Sequence, residues 1–156
     1  METKLNIIID TREQKPLDFS RSRTFSTVVK KLDVGDYGLE IDDVLQPICF
    51  ERKSALDLVA TLSQGNRRFK AEVERALNSN VQLYVIVECS YHDILLKNYP
   101  NFHRTKVLGC ATISVCHTFE NKYGIRFIFC NNRIESKDYI ANFFKSYVKN
   151  RTKLHS

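Results

Sequence analysis

The sequence predicts an α/β domain, a mixed sheet flanked by helices, on three observations. Short apolar runs rich in β-branched residues (5–10, 81–89 and 126–130) are interleaved with longer stretches whose apolar residues recur at helical spacing. Two further runs, 33–41 and 46–53, read as the arms of a hairpin around a polar turn. The chain has 156 residues, 43% of them hydrophobic, which suffices for one domain with its own core and no disulfide or zinc staple.

In residues 5–10, Leu5, Ile7, Ile8 and Ile9 form a short buried strand that stops where Asp10-Thr11-Arg12-Glu13 turns polar. Residues 14–24, with Pro16, Arg21 and Arg23, read as an exposed connection. Residues 25–32 fit a strand or a short helix, and Thr27, Val28 and Val29 favour the strand. The hairpin turn is expected at Asp42-Asp43-Val44-Leu45, and a constant register then sets Asp36 opposite Glu51. Ser54-Ala55-Leu56-Asp57 fits a capping box that opens a helix with Leu58, Val59 and Leu62 toward the core. A break is expected near Ser63-Gln64-Gly65-Asn66, and a second helix from Arg67 with Phe69, Val73, Ala76 and Leu77 on its apolar face.

Residues 83–87 are nearly continuous in apolar character, as in a central parallel strand. A short helix over 90–97, a loop at Pro100-Asn101 and a helix over 105–120 follow, with Gly124 as a C-cap. A last amphipathic helix runs over 136–150 through Tyr139, Ile140, Phe143, Phe144, Tyr147 and Val148. The basic tail from about 149 is expected to fray.

The net charge of +6, from 24 basic and 18 acidic residues, favours a polyanionic partner. The five cysteines are odd in number and form no C-x-x-C pair. Cys89, Cys110 and Cys130 lie in apolar runs and are expected as buried free thiols, which fits a reducing, intracellular location. Lys4 is followed by only five apolar or neutral residues before Asp10, too few for a secretory signal, and no run approaches the ~20 residues of a membrane span. His92, His103, His117 and His155 show no zinc spacing, and there is no glycine-rich phosphate loop to support an NTPase.

The chemistry concentrates on the hairpin. Alternation puts Glu51 and Lys53 on one strand face, about 7 Å apart. Asp36, opposite Glu51, then lies about 5 Å from it. Phosphodiester hydrolysis needs an activated water, stabilised charge on the phosphate and a neutralised leaving oxygen. A Mg²⁺ or Mn²⁺ ion on hard carboxylate oxygens serves all three. Asp36 and Glu51 are the candidate ligands, and the Lys53 ammonium would orient the water and offset anionic charge. Asp10 and Glu13, at the end of the first strand, would extend the acidic cluster. Asp57 is either a further member or only a residue of the helix cap at Ser54.

Gly35-Asp36-x14-Glu51-Arg52-Lys53-x3-Asp57 resembles the signature of XPF-type structure-specific endonucleases, a branch of the PD-(D/E)xK restriction-like nucleases. Asp10-Thr11-Arg12-Glu13 after an apolar strand resembles that family's opening motif, and Arg68-Phe69 with Glu72 resembles its arginine helix. The resemblance covers residues 10–72. It implies a restriction-endonuclease-like central mixed sheet flanked by helices, and metal-dependent cleavage of DNA at branches, flaps or forks. It also implies Asp36, Glu51 and Lys53 as the catalytic core, with Asp10 and Glu13 supporting the metal and Asp57 completing the signature. Arg52 would hold the site or contact phosphate; alternation places it on the opposite face, which leaves a purely structural ion pair open as well. Arg12, Arg67 and Arg68 are the candidates for contact with the DNA backbone.

Cellular members of that family usually carry a tandem helix-hairpin-helix domain after the nuclease, and none is expected within these 156 residues. Its grip on DNA is therefore expected from a basic surface, a partner chain or a fused protein. The last two helices either complete the monomer core or pair two copies as a homodimer. The alternative to an active nuclease is a catalytically silent module that binds DNA or a partner. The presence of Asp36, Glu51 and Lys53 together favours activity.

Overall fold

The computed structural model describes residues 2–154. Its strands are β1 (Leu5–Ile9), β2 (Ser26–Val29), β3 (Tyr37–Ile41), β4 (Val44–Lys53), β5 (Gln82–Val87) and β6 (Arg126–Phe129). They form one sheet in the order β2-β1-β3-β4-β5-β6. The β1–β3 and β3–β4 pairs are antiparallel, while β1–β2, β4–β5 and β5–β6 are parallel, so the sheet is mixed as the sequence predicts. The helices are α1 (Ala55–Ser63), α2 (Asn66–Asn78), α3 (Tyr91–Leu95), α4 (Gly109–Tyr123) and α5 (Arg133–Leu154).

Two cores sandwich the sheet. One joins Leu58, Val59 and Leu62 of α1, Phe69 and Val73 of α2 and Ile113, Cys116 and Phe119 of α4 to Cys49, Leu83, Val85 and Val87. The other joins Ile140 and Phe144 of α5, with Leu17, Phe19 and Phe25, to Ile7, Tyr37, Phe50 and Ile86. Successive residues of β4 and β5 thus enter opposite cores, as the strand period requires. Phe50 is fully buried, and the rings of Tyr84, Phe144 and Phe143 surround it at centroid distances of 5.3, 5.4 and 5.5 Å.

The hairpin turn is tighter than expected. Asp42 and Asp43 alone form it, both at positive φ (49° and 65°), the geometry that suits a two-residue connection between twisted strands. Val44 and Leu45 belong to β4 but face solvent, so they carry no alternating signal. The register is not constant either. Ile41 pairs with Val44 and Glu40 with Leu45, then Gln46, Pro47 and Ile48 stand against Leu39 before Gly38 meets Cys49 and Tyr37 meets Phe50. Pro47 has no N–H to give the ladder, which suits it to a bulge. The bulge restores the expected register at the end where Glu51 lies.

Other boundaries shift as well. α4 begins at Gly109 rather than 105, after a 3-10 turn at Phe102–Arg104. α5 begins at Arg133 and runs helical through Leu154, beyond the 149 at which fraying is expected; residues 155–156 lie outside the described residues. Leu77 is exposed, because α2 turns Phe69, Val73 and Ala76 inward and Leu77 falls beyond that stripe. Of the five free cysteines Cys110 is exposed, on the outer side of the first turn of α4, whereas Cys49, Cys89, Cys116 and Cys130 are buried.

Candidate active site

The end of β4 sorts its residues onto two faces. Cys49 enters the core beneath α1 and α2 and Phe50 the core beneath α5, so Glu51 and Lys53 face α2 and Arg52 faces α5. Glu51 Oε1 lies 3.3 Å from Lys53 Nζ. Asp36 reaches the same end through a bend at Gly35, whose φ of +78° and 3.0 Å clearance to the Cys49 side chain leave no room for a Cβ. The Asp36 N–H donates to the Phe50 carbonyl, and the Arg52 N–H donates to Asp36 Oδ2, each at 2.8 Å. A third acid comes from α2: Glu72 Oε1 accepts from the Gly35 N–H at 3.2 Å.

These carboxylates raise one another's proton affinity. Burial is the main cause that pushes Asp36 up to about 6; Glu13 and Glu72 add to it, against the Arg52 N–H and the Lys53 charge. Glu51 is pushed well above the usual range, first by burial, then by the charges of Asp36 and Glu72. Among the described residues, no three His, Cys, Asp or Glu side chains are placed to hold a metal ion by themselves. Asp36 and Glu51 nevertheless suit a hard divalent cation, because a half-buried and a buried carboxylate that repel each other are the groups such an ion would relieve.

The opposite face carries a different cluster. Arg52 donates from Nε and Nη2 to the two oxygens of Glu13 (3.0 and 2.8 Å) and from Nη1 to Glu88 Oε1 (3.0 Å). Burial opposes the Arg52 charge, yet the two carboxylates hold its pKa above the usual value. Arg133 of α5 approaches the same Glu88 oxygen at 3.6 Å and donates to the carbonyl of Lys15 at 2.9 Å. Glu13 also accepts from the Tyr37 hydroxyl at 3.1 Å; despite burial, Arg52 keeps its carboxyl below the ordinary range.

The other candidates lie around this frame. Both oxygens of the buried Asp10 are engaged: Oδ1 by the Leu32 N–H (2.8 Å), Oδ2 by Arg12 Nε (2.8 Å) and the Arg12 N–H (3.2 Å). Burial works against ionisation of Asp10, and the Arg12 side chain and N–H together with the Leu32 N–H outweigh it, so its carboxyl lies below the usual range. The Asp57 N–H donates to Ser54 Oγ at 3.2 Å, so Ser54 caps α1, and the exposed Asp57 carboxylate lines a separate cleft of ≈ 360 Å³ with Glu88 and Asp93. Arg67 and Arg68 line an open groove of ≈ 920 Å³ over the α1–α2 junction, together with Lys53, Gln64, Glu72 and Arg75.

A family profile described as the ERCC4 domain matches residues 9–143. The chain belongs to the ERCC4 domain family. Two solved structures share the fold. One is XPF from Aeropyrum pernix in complex with DNA (21% identity, TM-score 0.68, covering 94% of this chain and 66% of that one). The other is XPF from Aeropyrum pernix alone (20% identity, TM-score 0.70, covering 96% of this chain and 68% of that one). The chain therefore spans about two thirds of the length of each. No curated protein sequence matches it.

Within this ERCC4 domain the sequence candidates divide in two. Asp36, Glu51 and Lys53 converge beside the groove of Arg67 and Arg68, while Arg52 and Glu13 form an ion pair on the other face. Two participants were not read from the sequence as site residues. Glu72 lies one helical turn beyond Arg68, a spacing that could have placed it on the groove side of α2. Glu88 is the polar residue that ends the apolar run of β5, and its N–H donates to the Lys53 carbonyl at 2.9 Å. A carboxylate at the end of a buried strand was the available signal.

Proposed function

We propose that this ERCC4 domain is a divalent-metal-dependent DNA endonuclease acting at branched, flap or fork structures. The observation that carries the reading is the convergence of Asp36, Glu51 and Lys53 on one face, beside a groove bearing Arg67 and Arg68. A Mg²⁺ or Mn²⁺ ion held by Asp36 and Glu51 would polarise the phosphate and supply an activated water. Such ions are commonly bound by one or two carboxylates together with substrate phosphate rather than by an all-protein cage, which is the donor set available here.

The chain's own residues supply the rest. Arg52 fixes the Asp36 carboxylate through its N–H while its guanidinium is anchored on the far face, so the oxygen is pre-positioned. The Lys53 ammonium offsets charge that develops on the phosphate and orients the attacking water. Arg67 and Arg68 hold the backbone of the DNA without reading its bases. Four buried free thiols suit a reducing, intracellular setting, and pairing through α4 and α5 as a homodimer, or a separate DNA-binding partner, would extend the grip.

The second reading is a silent binding module, which the basic groove of Arg67, Arg68 and Arg75 would serve without catalysis. Labelled flap, fork, four-way-junction and linear duplex DNAs separate the two when incubated with Mg²⁺, Mn²⁺ or chelator. The nuclease reading expects cleavage of a branched DNA that stops with chelator and falls by at least ~10²-fold in Lys53→Ala. Binding without cleavage of any substrate would favour the silent module.

A further inference from the structure

We propose that a second groove, lined by Arg12, Lys31 and Arg75, carries the DNA backbone onward from the catalytic groove and positions one arm of the substrate. The inference rests on the nuclease reading and names where its substrate lies beyond the cleaved phosphate. This groove has a volume of ≈ 500 Å³ and is also lined by Asn78 and Ser79. Arg75 lines both grooves, so they adjoin at this residue along one side of α2. Arg68 and Arg75 are seven residues apart, two helical turns on the same face, or about 10 Å along the axis. Cations therefore recur along the path instead of clustering at one point.

Their partners, or lack of them, separate these cations from those that hold the fold. Arg52 and Arg133 are committed to Glu13 and Glu88. Among the described residues, Lys31 and Arg75 make no ion pair and no side-chain hydrogen bond, and both are exposed. Arg12 is half-committed: Nε is held by Asp10 and Nη2 by the Leu32 carbonyl, which fixes the guanidinium at the groove while its side chain stays 65% exposed. The charges of Glu72 and Asp36 also act on Arg12, so it stands within electrostatic reach of the catalytic carboxylates. One carboxylate, Asp33, lines the second groove against these three cations. Asn78 and Ser79 add neutral donors suited to phosphate oxygens. A polyanion that enters the first groove is thus drawn over Arg75 into the second, whatever its base sequence.

Equilibrium binding of a labelled branched DNA, measured in chelator across a salt series, tests this with Lys31→Ala, Arg75→Ala and the double variant. Each single substitution is expected to weaken binding by roughly 3–10-fold and to reduce the slope of log K against log salt by about one. Under cleavage conditions the loss should fall on KM rather than kcat, and Arg75→Lys and Lys31→Arg should recover most of it. Trimming the DNA stepwise on one side of the cut should weaken binding by the wild type but not by the double variant. Unchanged affinity and slope in the double variant, in a wild-type protein that binds and cleaves, would overturn the second groove alone. A loss confined to kcat would also overturn it. A wild type that binds no DNA would overturn both this inference and the nuclease reading.

Discussion

The Arg52 N–H donates to Asp36 Oδ2 at 2.8 Å while the Arg52 side chain is locked between Glu13 and Glu88 on the opposite face of the sheet. One residue therefore ties the candidate site to the frame behind it. Removing the guanidinium leaves the half-buried Glu13 without a cation, its Tyr37 hydroxyl bond remaining, and Glu88 with only the longer Arg133 contact. Arg52→Ala is expected to destabilise the fold by about 3–5 kcal/mol. Urea denaturation of the wild type and the variant measures it; a change within ~0.5 kcal/mol would mean that the cluster adds nothing.

The face of Asp36 and Glu51 behaves in the opposite sense. Burial and mutual repulsion make these two acids a cost to the metal-free fold. Asp36→Asn and Glu51→Gln are each expected to raise the melting temperature at pH 8 by a few °C, about 4 °C for 1 kcal/mol in a domain of this size. The same substitutions should lower cleavage by ~10²-fold or more. Stability and activity moving in opposite directions separates a functional strain from a structural one. Variants that melt lower than the wild type would argue against it.

The pH dependence follows from the signs. The Asp36 carboxyl has a folded-state pKa of about 6, above its ordinary value, so the folded chain binds more protons between about pH 4 and 6. This contribution favours the fold at the acid end of that window and is lost as pH rises through 6; Glu51 acts in the same direction. Asp10 and Glu13 have lowered values, so their contribution holds above the ordinary carboxylate range and is lost as pH falls through their lowered pKa values. In chelator, the melting temperature is expected to be higher at pH 5 than at pH 8, by roughly 5 °C. Calorimetry on the wild type and on the Asp36→Asn/Glu51→Gln double variant checks this: the double variant should lose the difference.

The sheet and the three-residue convergence were legible because strand alternation fixes faces whatever the turn does. The turn and register near Asp42–Leu45 differ from the sequence expectation, yet the bulge around Pro47 returns Glu51 to the expected level. Glu72 and Glu88 come from elements far along the chain, and their positions depend on how α2 and β5 pack, which local pattern does not carry. The start of α4 was hidden for a related reason. Leu108 supplies no side-chain cap, and Gly109 is needed because a Cβ there would fall 2.1 Å from the Leu95 carbonyl oxygen. Arg52 was correctly sorted to the opposite face by alternation alone, while its carboxylate partners required the folded chain.

The most direct test of the central claim is a titration of the wild type, Asp36→Asn and Glu51→Gln with Mn²⁺ at pH 8, followed by electron paramagnetic resonance. Saturable binding to the wild type is expected, weakened at least ~10-fold in each variant, since each loses one hard oxygen donor. Equal Mn²⁺ affinity in all three proteins, or none in the wild type with DNA present, would contradict it.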